Sequence, residues 1–218
     1  MQFNNLATVI LFLILSHSIS EDEAEAGEEA ERLFREYCDA SGITYLFIEQ
    51  SAYSRSSKLV REQARRPDFL VIEPYKMPFF IDVKARRFQT PQGEPTFFLG
   101  NRRYMATFLS ARGDYSPLRQ FQNFVGIPVW VAWFERMGKK VRPDKMWLAP
   151  INALSGFHKY DLDGWMIIPL DCCASIDLRT SQSLRYDVRE ETIEKFVDML
   201  KKQRDLKDHD PEKSSKPI

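Results

Sequence analysis

Histidine and cysteine are scarce in this chain of 218 residues, with three of each. His17 falls in an apolar leader and His209 in a polar tail, which leaves His158 as the candidate base in the body of the chain. This argues against a histidine-ligated metal nuclease and against a Ser/His or Cys/His hydrolase. The stretch GFHKYDLDGW around His158 reads as a surface turn. The cysteines are Cys38 and the adjacent pair Cys172–Cys173. Without a CxxC spacing they form neither a zinc site nor a disulfide framework, and buried free thiols are the expectation. Long apolar runs are missing too. The longest, Leu6–Leu15, is too short to cross a bilayer, so no stable transmembrane span is expected.

That run is followed by small polar residues, with Ser18 and Ser20 spaced as before a signal-peptidase cut, and then by acids. Residues 1–20 therefore read as a hydrophobic leader or signal peptide, which points to export, secreted or periplasmic. The leader has no Lys or Arg at its start, and a translation start set too far upstream or a loose membrane anchor would leave the same string.

Net charge is zero, but unevenly composed. Residues 21–31, EDEAEAGEEAE, carry 7 acids and no base, so the rest of the chain holds 31 Lys and Arg against 24 acids. From Ala52 to Lys145 there are 18 bases and 8 acids. A basic middle beside an acidic leader fits a surface that binds a polyanion; an unevenly charged, solvated surface fits equally.

Hydrophobic periodicity gives the elements. Ala30, Leu33, Phe34, Tyr37 and Cys38 recur at helical spacing and predict an amphipathic helix from Gly27 to about Ser41-Gly42. ITYLFIE (43–49) reads as a strand. DFLVIE (68–73) and PFFIDVK (78–84) read as two more, joined by PYKM in an antiparallel hairpin. Residues 85–113, broken by Pro91, Gly93, Pro95, Gly100 and Gly113, are expected to be mostly irregular. SPLRQFQNFVG (116–126) predicts a helix with a Ser cap and a Gly stop, and IPVWVAWF (127–134) a strand covered on both faces. MWLAP (146–150) and WMIIPL (165–170) are short strands, and Phe196, Val197 and Leu200 mark a helix at 189–205. The order predicts an α/β fold, a mixed β-sheet flanked by helices, as one domain over 27–205 with a disordered tail at 206–218.

Charge inside good strands is what needs a reason. Asp68 opens one strand, and Asp82 and Lys84 share one face of the next, because a strand alternates its faces with period 2. If the strands pair, both carboxylates converge. Two convergent carboxylates suit a hard cation such as Mg²⁺, whose remaining positions go to waters and a substrate phosphate. A lysine beside them would orient or deprotonate an attacking water and steady charge on phosphorus. Ion pairing of Asp82 with Lys84 or a neighbouring arginine is the structural alternative.

Pro67-Asp68 followed by Asp82-Val83-Lys84 resembles the signature of the PD-(D/E)XK nuclease superfamily. GEEAE ahead of LFREYCDASG is similar to the opening of its Holliday-junction-resolvase-like branch, and LRQFQNF with GIPVWVAWF resembles its next helix and strand; Trp147 fits as well. The resemblance covers roughly residues 27–150 and implies a restriction-endonuclease-like core. It implies Mg²⁺- or Mn²⁺-dependent hydrolysis of phosphodiesters in nucleic acid, more readily DNA, in the cytoplasm or nucleoid. Asp68, Asp82 and the Val83 carbonyl would hold the metal. Glu31 would bind it directly or through water, with Glu28 and Glu29 as alternatives, and Lys84 would assist the nucleophile. Arg86, Arg87, Arg102, Arg103, Gln120 and Gln122 are the candidate nucleic-acid contacts, and Phe88, Phe97, Phe98 and Tyr104 among the arginines are candidates for base stacking or for core. A homodimer would suit an enzyme that cuts both strands. The rival reading is a non-catalytic relative that binds nucleic acid or a protein and keeps Asp68 and Lys84 as structural ions.

Overall fold

The computed structural model describes residues 21–48, 64–73, 77–88, 97–99, 102–158, 164–180, 184, 194 and 197–198; for the strands at 97–99 and 102–104 it describes the backbone alone. The leader at 1–20, the tail at 206–218 and most of the helix expected at 189–205 lie outside this set. Among the described residues no helix is long and apolar enough to cross a membrane.

Helix α1 runs from Glu21 to Ser41, so the acidic segment is helical and the helix begins ahead of its expected start at Gly27. Asp and Glu in the first turn complement the positive end of the helix dipole, and Gly42 at φ 64 follows the last turn. The stripe Ala30, Leu33, Phe34, Tyr37 and Cys38 is buried as its spacing predicts, and Ala26 extends it one turn earlier.

The central sheet has six strands. They are β1 (Thr44–Phe47), β2 (Phe69–Ile72), β3 (Phe79–Arg86), β7 (Val129–Met137), β8 (Lys140–Pro150) and β10 (Ala174–Asp177), in the spatial order β1-β2-β3-β7-β8-β10. Every neighbouring pair is antiparallel except β3 and β7, which run parallel. A parallel pair needs a crossover. Here it contains helix α2 (Ser116–Val125), which ends on Gly126 in the left-handed region at φ 71. The mixed sheet flanked by helices is thus the architecture read from the sequence.

Among the described residues of 85–113 the expectation of irregular chain is overturned. β4 (Phe97–Leu99) pairs with β5 (Arg102–Tyr104), and β6 (Ala106–Ser110) pairs antiparallel with β9 (Trp165–Pro169) in a separate two-stranded sheet. Gly113 falls in the turn after β6, Pro91, Gly93, Pro95 and Gly100 lie outside the described residues, and the partner of β6 lies far along the chain. The Ser cap expected at Ser116 is also absent. A π-helical turn, Ala111–Tyr115, precedes α2, and its cap is Ser110, whose side chain accepts the Gly113 N–H at 2.9 Å. His158 lies in a helical turn, α3 (Ser155–His158), with its ring stacked on Tyr115 at 4.8 Å between centroids, rather than in a surface turn.

Each face of the sheet carries its own core. On one, α1 covers Phe69, Val71, Phe79, Ile81, Val83, Phe134 and Met146. On the other, α2, β6 and β9 cover Phe80, Val131, Trp133 and Trp147. A large apolar side chain sealed in this way contributes roughly 1.5–3 kcal/mol. Cys38 and Cys172 are buried, Cys173 is partly buried, and all three thiols are free.

Candidate active site

β3 is buried along nearly its whole length, and its alternation sorts the side chains. Phe79, Ile81, Val83 and Ala85 join the core under α1. Phe80, Asp82 and Lys84 face the other way. The register with β7 sets Asp82 opposite Val131 and Lys84 opposite Trp133, so both charges lie on an apolar floor. Asp82 is 0% exposed and Lys84 5%.

Asp68 arrives from the start of β2. Regular pairing of β2 with β3 ends at Phe69 and Ile81, and the Asp68 N–H donates to the Ile81 carbonyl at 3.0 Å. The Asp68 carboxylate then accepts the Val83 N–H at 2.6 Å. In a strand the N–H and C=O of one residue point to the same neighbour, so the Val83 carbonyl faces the edge where Asp68 lies. Burial, and next the nearby Asp82 charge, push the Asp68 carboxyl up to about 7, against the pull of Lys84 and the Val83 N–H.

Three cations meet the acids of the site, Lys84 and Arg86 from β3 and Arg65 from the segment ahead of β2. Lys84 contacts Asp82 directly and lies 3.5 Å from Asp114. Arg65 is 3.7 Å from Asp82 and 2.6 Å from Asp114, and Arg86 is 3.5 Å from Asp114. Asp114, in the π turn, is a buried member of the site that the sequence reading missed. Its one local signal is a lone acid in a basic stretch, ARGDY, and its partner Arg65 is remote in sequence. Arg65 was likewise passed over, as one of several arginines ahead of Pro67.

The other predicted residues divide. Glu31 is partly buried, and burial raises its carboxyl, offset by Arg35 and Lys84 and reinforced by Asp82, so its charge reaches the site. Glu29 is held by Arg32 at 2.7 Å, and Glu28 is exposed. Among the described residues no three His, Cys, Asp or Glu side chains are grouped to hold one ion. Arg86 is at the site and Arg87 is exposed; the side chains of Arg102, Arg103, Phe97, Phe98 and Tyr104 lie outside those described. Gln120 is exposed on α2. Gln122 ties the end of α2 to the sheet, accepting the Val129 N–H and donating to Asn152, both at 2.8 Å. Phe88 is core, edge-on to Trp147 at 4.8 Å, rather than a stacking platform.

The donors fit a hard divalent cation. Both Asp82 oxygens are buried, and what faces them is the Lys84 amine on one oxygen and, at 3.7 Å, the Arg65 guanidinium on the other. Two neighbouring carboxylates, one of them held toward its neutral form, are the arrangement a divalent charge relieves. Asp68, Asp82 and the Val83 carbonyl would hold it, in competition with Arg65 and Lys84.

No family model matches the chain, and no curated protein matches it. Among solved structures it is similar to that of Hjc, a Holliday junction resolvase from the archaeal hyperthermophile Archaeoglobus fulgidus, at 15% identity and a TM-score of 0.40, over 66% of this chain and 88% of that one.

Proposed function

We infer that this chain is a divalent-metal-dependent nuclease acting on DNA. One observation carries the reading: the Asp82 carboxylate is fully buried within β3, with Asp68, at the start of β2, and Lys84 beside it. Buried charge of this kind is costly to a fold unless something uses it. Mg²⁺ or Mn²⁺ bound there would polarise a phosphodiester and activate a water. The chain's own residues do the rest. Asp68 and Asp82, fixed on adjacent strands, set where the reacting phosphate must sit. Lys84 presents its amine beside Asp82, where it orients the attacking water and meets charge on the phosphate oxygens. Arg65, 38% exposed while the acids are buried, is the cation that an arriving phosphate reaches first. The exposed bases of the middle segment supply affinity for the backbone, and a homodimer would cut both strands.

A second reading rests on the same ion pairs. If Lys84 and Arg65 neutralise Asp82 permanently, the protein binds nucleic acid without cutting it. Incubating the protein, Asp82→Ala and Lys84→Ala with plasmid, linear and single-stranded DNA and RNA, in Mg²⁺, Mn²⁺ or EDTA, separates the two. Metal-requiring cleavage that both substitutions abolish supports the nuclease. Salt-sensitive binding without cleavage by any form supports the binder.

A further inference from the structure

Asp114 is not one of the paired carboxylates, yet all three cations of the site touch it. Arg65 donates to its Oδ1 at 2.6 Å, Lys84 lies 3.5 Å from the same oxygen, and Arg86 lies 3.5 Å from Oδ2, which also accepts the Ser110 N–H at 3.3 Å. Two of these cations, Lys84 and Arg65, also face Asp82. Asp82 and Asp114 therefore share the same two cations across a buried space. The sharing is unequal: Lys84 contacts Asp82 and stands 3.5 Å from Asp114, whereas Arg65 donates to Asp114 at 2.6 Å and stands 3.7 Å from Asp82.

The backbone commits effort to this placement. Asp114 sits in a π-helical turn, a rare form that is frequent at functional sites. A Cβ on Gly113 would lie 2.9 Å from Ser110 Oγ, so a larger residue there would displace the hydroxyl that caps the turn. Burial opposes the charge on Asp114, but Lys84, Arg65 and Arg86 together hold its carboxyl below the usual range.

We propose that Asp114 is a positioning residue: it takes over Lys84 and Arg65 when a divalent cation binds Asp82, freeing that carboxylate and leaving Arg65 at the mouth of the site to meet the substrate phosphate. The phosphate part rests on the nuclease reading; the exchange of partners does not. Without Asp114, both cations are left to Asp82 alone and oppose an incoming metal.

The test is Mn²⁺ affinity, read by electron paramagnetic resonance on the full chain, for the wild type, Asp82→Ala, Asp114→Asn, Asp114→Glu, Arg65→Gln and the double variant Asp114→Asn/Arg65→Gln. Asp114→Asn should weaken Mn²⁺ binding about 10-fold, the order of coupling expected between contacting charges. Asp114→Glu should restore most of it. Arg65→Gln should tighten binding about 3-fold by removing a competitor, and the double variant should bind more tightly than Asp114→Asn. If Asp114→Asn does not fold, the Arg65→Gln and Asp114→Glu affinities decide. Unchanged Mn²⁺ affinity in folded Asp114→Asn, or weaker binding in Arg65→Gln, overturns the proposal while the nuclease reading stands. Mn²⁺ behaviour as expected with no nucleic acid cleaved keeps the proposal and removes the nuclease. A wild type that binds no Mn²⁺ through Asp82 removes both.

Discussion

The Val83 N–H donates to the Asp68 carboxylate at 2.6 Å, so a side chain completes hydrogen bonding where the β2–β3 ladder stops. This bond explains why an acid stands at the head of an apolar strand. It draws Asp68 toward Asp82 and costs the protein a second buried charge, since Asp68 is 4% exposed.

Asp68 should make the metal-free protein less stable as pH rises. Burial, and next the Asp82 charge, raise its carboxyl to about 7 in the fold, above the ordinary 3.8 of an unfolded aspartate, so the folded state holds the extra proton. The contribution is fully present below about pH 4 and is lost as pH rises through 7, by at most about 4 kcal/mol for a shift of that size. Asp68→Asn keeps an acceptor for Val83 and removes the charge. In urea melts with EDTA, the variant should gain on the wild type between pH 5 and 8. Added Mn²⁺ should stabilise the wild type more at pH 8 than at pH 5.5. A wild type no less stable relative to Asp68→Asn at pH 8 than at pH 5 would sink the argument.

How much of this was legible in the sequence depends on range. The α1 stripe, the strands bearing Asp68 and Asp82, and the common face of Asp82 and Lys84 follow from local periodicity, and the structure has them. Asp114 and Arg65 meet only because the crossover from β3 to β7 returns the chain over the site, and no local pattern encodes that contact. Gln122 illustrates the opposite error. A polar residue on an amphipathic helix looks like a surface contact until the Val129 N–H at the start of the next strand is found to need an acceptor. Likewise Phe88, next to two arginines in sequence, is buried because it packs on Trp147 of β8.

Gln122→Ala should therefore behave as a structural substitution. It leaves the Val129 N–H without its acceptor and Asn152 without its donor. The expected cost is about 1–3 kcal/mol in chemical denaturation. Affinity for DNA, measured by fluorescence anisotropy at fixed salt, should stay within about 2-fold of wild type once folded. A stable variant with sharply weaker DNA binding would return Gln122 to the nucleic-acid surface.

The thiols should be silent in the native state. Burial pushes Cys38 and Cys172 up to about 12, and Cys173 well above the ordinary thiol range. Because the thiolate is the reactive form, a chromogenic disulfide reagent at pH 8 should titrate almost none of the three before denaturant is added and all three afterwards. Fast reaction of one thiol in the folded protein would place it outside the core.

Lys84→Ala separates the stabilising role of that lysine from its chemistry. The substitution leaves Asp82 fully buried with Arg65 at 3.7 Å as its remaining cation. Breaking one side of a buried pair costs about 3–5 kcal/mol, so the metal-free variant should melt well below wild type. A divalent cation replaces the missing positive charge and faces one competitor fewer. Mn²⁺ should therefore raise the melting temperature of Lys84→Ala by more than it raises that of the wild type. Cleavage should nevertheless fall by about 100-fold or more at saturating Mn²⁺, because the metal restores charge balance but not the amine beside the water. Melting curves with and without Mn²⁺, set beside single-turnover cleavage, read both effects on one sample. A variant whose stability and cleavage are both restored by Mn²⁺ would leave Lys84 as a counter-ion and nothing more.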